Sequence, residues 1–129
     1  MPVKKIEALV DAFAKLNGAF NDPESEAYNL RNPLMIKSYG LPGKHQIDGQ
    51  GRRVFDSMLS GYRAGLFDLE IKLSGKSRAK LSPDDKLENL LRVYGITELG
   101  GVKQIVNFLR RALKDQEIQA VTPLRYFLE

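Results

Sequence analysis

Phe55, Leu59, Tyr62, Leu66, Leu69 and Leu73 recur in steps of four and three. An α-helix returns to one face every 3.6 residues and a strand every two, so this spacing predicts a long helix from about Arg52 to Leu73. Its length and regularity mark it as the central helix of the fold. Gly61 and Gly65 lie one turn apart within it. Each costs about 1 kcal/mol relative to alanine in an exposed helix, so the pair predicts close packing or a bend.

The same period appears elsewhere. A first helix starts at Pro2, repeats Val3, Ile6, Val10, Phe13 and Leu16, and stops at Gly18. A short second one runs from Asp22 as N-cap to Asn32-Pro33, since the residue before proline is driven out of helical conformation. Ser82-Pro83-Asp84-Asp85 reads as an N-cap and first turn for a helix carrying Leu87, Leu90, Leu91 and Tyr94 up to Gly95. Another begins near Val102 with Ile105, Val106, Leu109, Ala112 and Leu113 inward, and Thr122-Pro123 opens a last turn with Leu124, Tyr126, Phe127 and Leu128. Two prolines and four glycines between Pro33 and Gly51 break any period, which predicts a long irregular loop. Its apolar Leu34, Met35, Ile36, Tyr39 and Leu41 should hold it against the rest of the chain. The expected fold is all-α: one compact domain over residues 1–129, a bundle of about five helices.

With 129 residues, 43% of them hydrophobic, the chain can bury a core without crosslinks. It has no cysteine, which excludes disulfides, thiolate nucleophiles and cysteine metal sites and fits the cytoplasm. The start, Met1 to Glu7, lacks the apolar stretch of a signal peptide, and no apolar run approaches the roughly 18 residues a membrane helix needs. Neither targeting to a membrane nor spanning one is expected.

Charge is unevenly placed. Residues 1–30 carry a net −2, residues 84–129 carry zero, and residues 31–83 hold the whole excess at +6. Arg52, Arg53, Arg63, Lys72, Lys76, Arg78 and Lys80 lie in this basic middle. On the helix after Val102, Lys103, Asn107, Arg110 and Lys114 follow steps of four, three and four opposite the apolar stripe, with Arg111 beside them. Such cations suit successive phosphates of a polyanion, and Tyr39 could stack on a base. The competing reading is a solvated face balanced by Asp and Glu.

Catalytic and metal chemistry find no constellation. Leu73-Ser74-Gly75-Lys76-Ser77 matches the end of a P-loop, but Glu70 stands where its first glycine belongs and a helix precedes it instead of a strand. His45 is the only histidine, in a Gly-rich stretch, so a solvated loop residue is the simpler reading. Asp84 and Asp85 fall in a helix first turn, where the dipole accounts for them. Neither cofactor nor metal is expected. Tyr94-Gly95-Ile96-Thr97 invites a helix-turn-helix reading and hence a small DNA-binding regulator. The connection to Val102 exceeds that motif's three or four residues, which favours an ordinary αα-hairpin.

Asn32-Pro33-Leu34, Gly51-Arg52-Arg53-Val54-Phe55 and Ser60-Gly61-Tyr62-Arg63-Ala64 carry a resemblance. The whole chain resembles the small helical subunit of a CRISPR effector complex, in particular the C-terminal helical part of the type I-D large subunit, which is also made separately. The resemblance implies a non-catalytic protein that stacks in several copies along an RNA-guided complex and holds CRISPR RNA and target DNA by their backbones. Recognition of sequence would then rest with RNA–DNA base pairing. A different class of function, an adaptor, would dock a larger partner through Leu34, Met35, Tyr39, Tyr126 and Phe127.

Overall fold

The computed structural model describes residues 4–37, 47, 51–75 and 81–129. Over these it forms five α-helices and a closing 3-10 turn: α1 Lys5–Asn17, α2 Glu26–Leu30, α3 Met58–Leu73, α4 Leu87–Val93, α5 Leu99–Ala112 and the turn Leu124–Leu128. The fold is the expected all-α bundle. Tyr39, Leu41, His45, Lys76, Arg78 and Lys80 lie outside the described residues.

The centre is α1 and not the longer α3. Ala8, Leu9, Val10, Ala12, Phe13 and Ala14 are all buried, so α1 is apolar around most of its circumference, and its alanines let neighbours approach closely. α5, α3, the C-terminal turn and α2 all pack on it. Gly18, at φ 74°, ends the helix in the left-handed conformation, with its N–H bonded back to Ala14 and Lys15.

α3 begins six residues later than its apolar stripe suggests. Ser57 caps it by accepting from Ser60 N–H at 3.1 Å, while Arg52 and Arg53 sit in bridges to Lys37 and Ile47. Leu59, assigned inward by spacing, is 58% exposed. The inward face of α3 is Gly61, Gly65, Leu69 and Leu73. A Cβ on Gly65 would lie 2.9 Å from Leu34 Cδ1, so the chain around residue 34 lies in the groove the glycines leave. The two glycines serve close packing.

Asn32 organises that crossing. Its side chain is fully buried, donates to the carbonyls of Ile36 and Arg53 at 3.0 Å each, and accepts from Ile36 N–H at 3.0 Å. Arg53 N–H to Ile36 O and Phe55 N–H to Leu30 O complete the junction.

α4 also starts later than its proline implies. Asp85 accepts from Ser82 N–H in a turn ahead of the helix. The free N–H groups of Leu87 and Glu88 are taken by the carbonyls of Thr122 and Ala120 at 2.8 Å. The chain after residue 118 thus supplies the cap expected of Ser82. α5 starts three residues earlier than Val102, and its main packing partner is α1, so α4 and α5 are not a simple hairpin. No helix among the described residues is long and apolar enough to cross a membrane.

Candidate nucleic-acid interface

Among the described residues, the cations of the basic middle are largely committed to the fold. Arg52, its side chain 25% exposed, pairs with Glu26. The Arg53 guanidinium lies 4.6 Å from the Phe55 ring centroid, a cation–π contact. Lys72 pairs with Asp68, donates to the Tyr94 hydroxyl at 3.2 Å and sits 4.3 Å above the Tyr94 ring. Tyr94 in turn donates to Asp68 and packs on Phe13 at 4.8 Å between centroids. Burial, with the Asp68 carboxylate beside it, pushes the Tyr94 hydroxyl far above the ordinary tyrosine range. Lys72 therefore ties α3 to the α4–α5 turn. Arg63 alone among these described cations is exposed and makes no ion pair with a described residue.

α5 differs. From Leu99 to Lys114 the sequence contains no acidic residue. Lys103, Asn107, Arg111 and Lys114 are exposed in steps of four, four and three, and none of the three cations makes an ion pair with a described residue. Arg110, expected on this ridge, is half-buried and donates from Nε to the Ile118 carbonyl at 2.8 Å, because the chain turns back there after Lys114 at φ 52°. Arg111 takes its place. At 1.5 Å per residue, Lys103 to Arg111 spans about 12 Å, enough to meet more than one phosphate of a strand. Arg110 and Arg111 also suit the negative end of the helix dipole, whereas Lys103, near the other end, gains nothing from it.

Beside the ridge, the seam between α1 and α5 is open. A cavity of about 460 Å³ is lined by Ala12, Lys15, Leu16, Gln104, Asn107, Phe108 and Arg111. Lys15 Nζ is 5.6 Å from the Phe108 ring centroid. A second hollow of about 330 Å³ shares Leu16 and Gln104 and is lined also by the α4–α5 turn, including Glu98. Spacing alone did not single out Lys15, Gln104 or Phe108. The available signal was the polar pair 104 and 107 on one face with Phe108, displaced from the Ile105–Leu109 stripe.

The expected docking residues are mostly interior. Leu34 is 2% and Phe127 1% exposed, both in the main core. Met35 packs on Ala14, Ala19 and Ala27, and the half-buried Tyr126 donates its hydroxyl to Asp115 at 2.6 Å. Large apolar side chains stand exposed instead at Leu59, Phe67 and Leu99. No group of three or more His, Cys, Asp or Glu that could hold a metal occurs among the described residues. The α4–α5 turn, residues 94–98, is longer than a helix-turn-helix uses. Compared with protein-family models, curated proteins and solved structures, the chain has no significant match.

Proposed function

We propose that this chain is a non-catalytic nucleic-acid-binding subunit that grips a strand by its phosphates along the outer face of α5. The observation that carries the reading is the acid-free run from Leu99 to Lys114, which presents Lys103 and Arg111 to solvent on one face of α5 and leaves Lys114 exposed just past its end. Arg63 on α3 is a second exposed contact. The resemblance to small subunits of CRISPR effector complexes sets this role in an RNA-guided ribonucleoprotein, with other subunits and copies of itself as neighbours. A chain without cysteine suits the reducing cytoplasm.

Fluorescence anisotropy with single-stranded DNA, single-stranded RNA and duplex DNA over a salt series tests the reading. Each phosphate contact on a single strand contributes about 0.7 to the log–log salt slope, so Lys103→Gln, Arg111→Gln and Lys114→Gln together should flatten it by about 2. Unchanged affinity and slope in the triple variant would place the contacts elsewhere.

A further inference from the structure

A seam between two packed helices is ordinarily closed by apolar side chains. Here the open seam is lined from α5 by Gln104, Asn107, Phe108 and Arg111, at i, i+3, i+4 and i+7, and from α1 by the short Ala12 and the exposed Lys15. The cavity they leave, about 460 Å³, falls within the range of small-molecule sites, roughly 300–1,000 Å³. It offers one aromatic ring, two amides that each donate and accept, and a cation on each wall.

We propose that this groove is a nucleotide subsite: one base stacks on Phe108, Gln104 and Asn107 bond its edge, and Lys15 and Arg111 hold the adjoining phosphate. The inference rests on the phosphate-binding reading of α5 and adds a base to it. Lys15 reaches the ring only at 5.6 Å, near the outer limit of a cation–π contact, so its flexible chain yields the ring to a base and keeps its charge at the rim. Polarity along the groove follows from Glu98, which lines the second hollow together with Gln104, whereas Arg111 lines the first alone. The Glu98 carboxylate repels phosphate, so the phosphate lies toward Arg111 and the base toward Gln104.

The test uses the full chain and two labelled oligonucleotides of equal length, one ordinary and one abasic throughout. Stacking is worth about 1–3 kcal/mol per base, so the ordinary strand should bind about fivefold more tightly or better. Phe108→Leu, which keeps apolar packing, and Asn107→Ala, at an exposed site, should each reduce that ratio while leaving the salt slope unchanged. Equal affinity for both strands in the wild type overturns the subsite and leaves the phosphate-binding role standing. Absence of binding to either strand at low salt overturns both. The side-chain amide resonances of Gln104 and Asn107 distinguish the source of the base. Shifts on adding adenosine monophosphate but not ribose 5-phosphate assign a free nucleotide, shifts with the oligonucleotide alone assign a base of a bound strand, and no shift from either overturns the site.

Discussion

The carbonyl oxygen of Arg31 occupies the place a side chain on Gly61 would need: a Cβ there would lie 1.7 Å from it. Alanine normally stabilises an exposed helix by about 1 kcal/mol over glycine. At this position the sign reverses, because the obstacle is backbone held by the Asn32 junction and cannot swing aside. Gly61→Ala should cost about 3 kcal/mol, the upper end of overpacking penalties. Gly100 in α5 meets nothing within 4 Å, and Gly100→Ala should gain up to about 1 kcal/mol. Urea midpoints of the two variants should move in opposite directions.

Asn32 tests the same junction from the polar side. Asn32→Ala strands Ile36 N–H and removes the side-chain donor from the Arg53 carbonyl, whereas the Ile36 carbonyl keeps Arg53 N–H. Two lost partners at about 1–3 kcal/mol each predict a loss of roughly 3 kcal/mol. Asn32→Asp keeps the acceptor but aims a buried carboxylate at two carbonyls, which raises its pKa above the unfolded value. Its folded state is then favoured below pH 4 and weakened as pH rises. At pH 7 the Asp variant should be less stable than the Ala variant, and the order should invert near pH 3.

Helix existence was legible because Phe13, Leu69, Leu73, Leu90 and Ile105 repeat at the helical period and are all buried. Which helix sits at the centre was not. Periodicity ranks helices by the regularity of one stripe, whereas centrality depends on the alanines that fill the faces between stripes, here Ala8, Ala12 and Ala14. The site was half legible for a related reason. Lys103 and Arg111 can be read from one helix, with Lys114 just past its end. Lys15 joins them from α1, and Arg110 leaves them because Ile118 returns across the chain, and both facts are tertiary.

The C-terminal turn is core. Leu124 and Phe127 are 0% and 1% exposed, and the Leu124 and Arg125 N–H groups bond to Asp85 and Pro83 at 2.8 Å. Truncation after Val121 removes both side chains, each worth about 2–5 kcal/mol, from a fold whose total stability is about 5–15 kcal/mol. The truncated chain should lose its cooperative thermal transition by circular dichroism. A retained sharp melt would show instead that the turn is dispensable and free to meet a partner.

Tyr126 couples this turn to pH. Burial, followed by its bond to Asp115, pushes its hydroxyl up to about 12 from 10.0. The neutral form is favoured in the folded state, so its contribution is complete below pH 10 and is lost as pH rises from 10 to 12. The same bond holds the Asp115 carboxyl below its usual 3.8, a contribution present above pH 4 and lost as pH falls further. Tyr126→Phe should shallow the decline in stability between pH 10 and 12, and should let the Asp115 carboxyl titrate closer to 3.8 by NMR.

Lys72 and Arg111 separate folding from binding. Both were candidates for phosphate contact, yet Lys72 is joined to Asp68 and Tyr94, whereas Arg111 faces solvent and makes no ion pair with a described residue. Lys72→Ala leaves the half-buried Asp68 carboxylate without its cation and should cost about 1–2 kcal/mol of stability, with the salt slope of strand binding unchanged. Arg111→Ala should alter stability by no more than about 0.5 kcal/mol and lower the slope by about 0.7. Measuring both quantities on both variants decides where the strand lies. Weakened binding in Lys72→Ala with none in Arg111→Ala would move the phosphate contacts from α5 to α3.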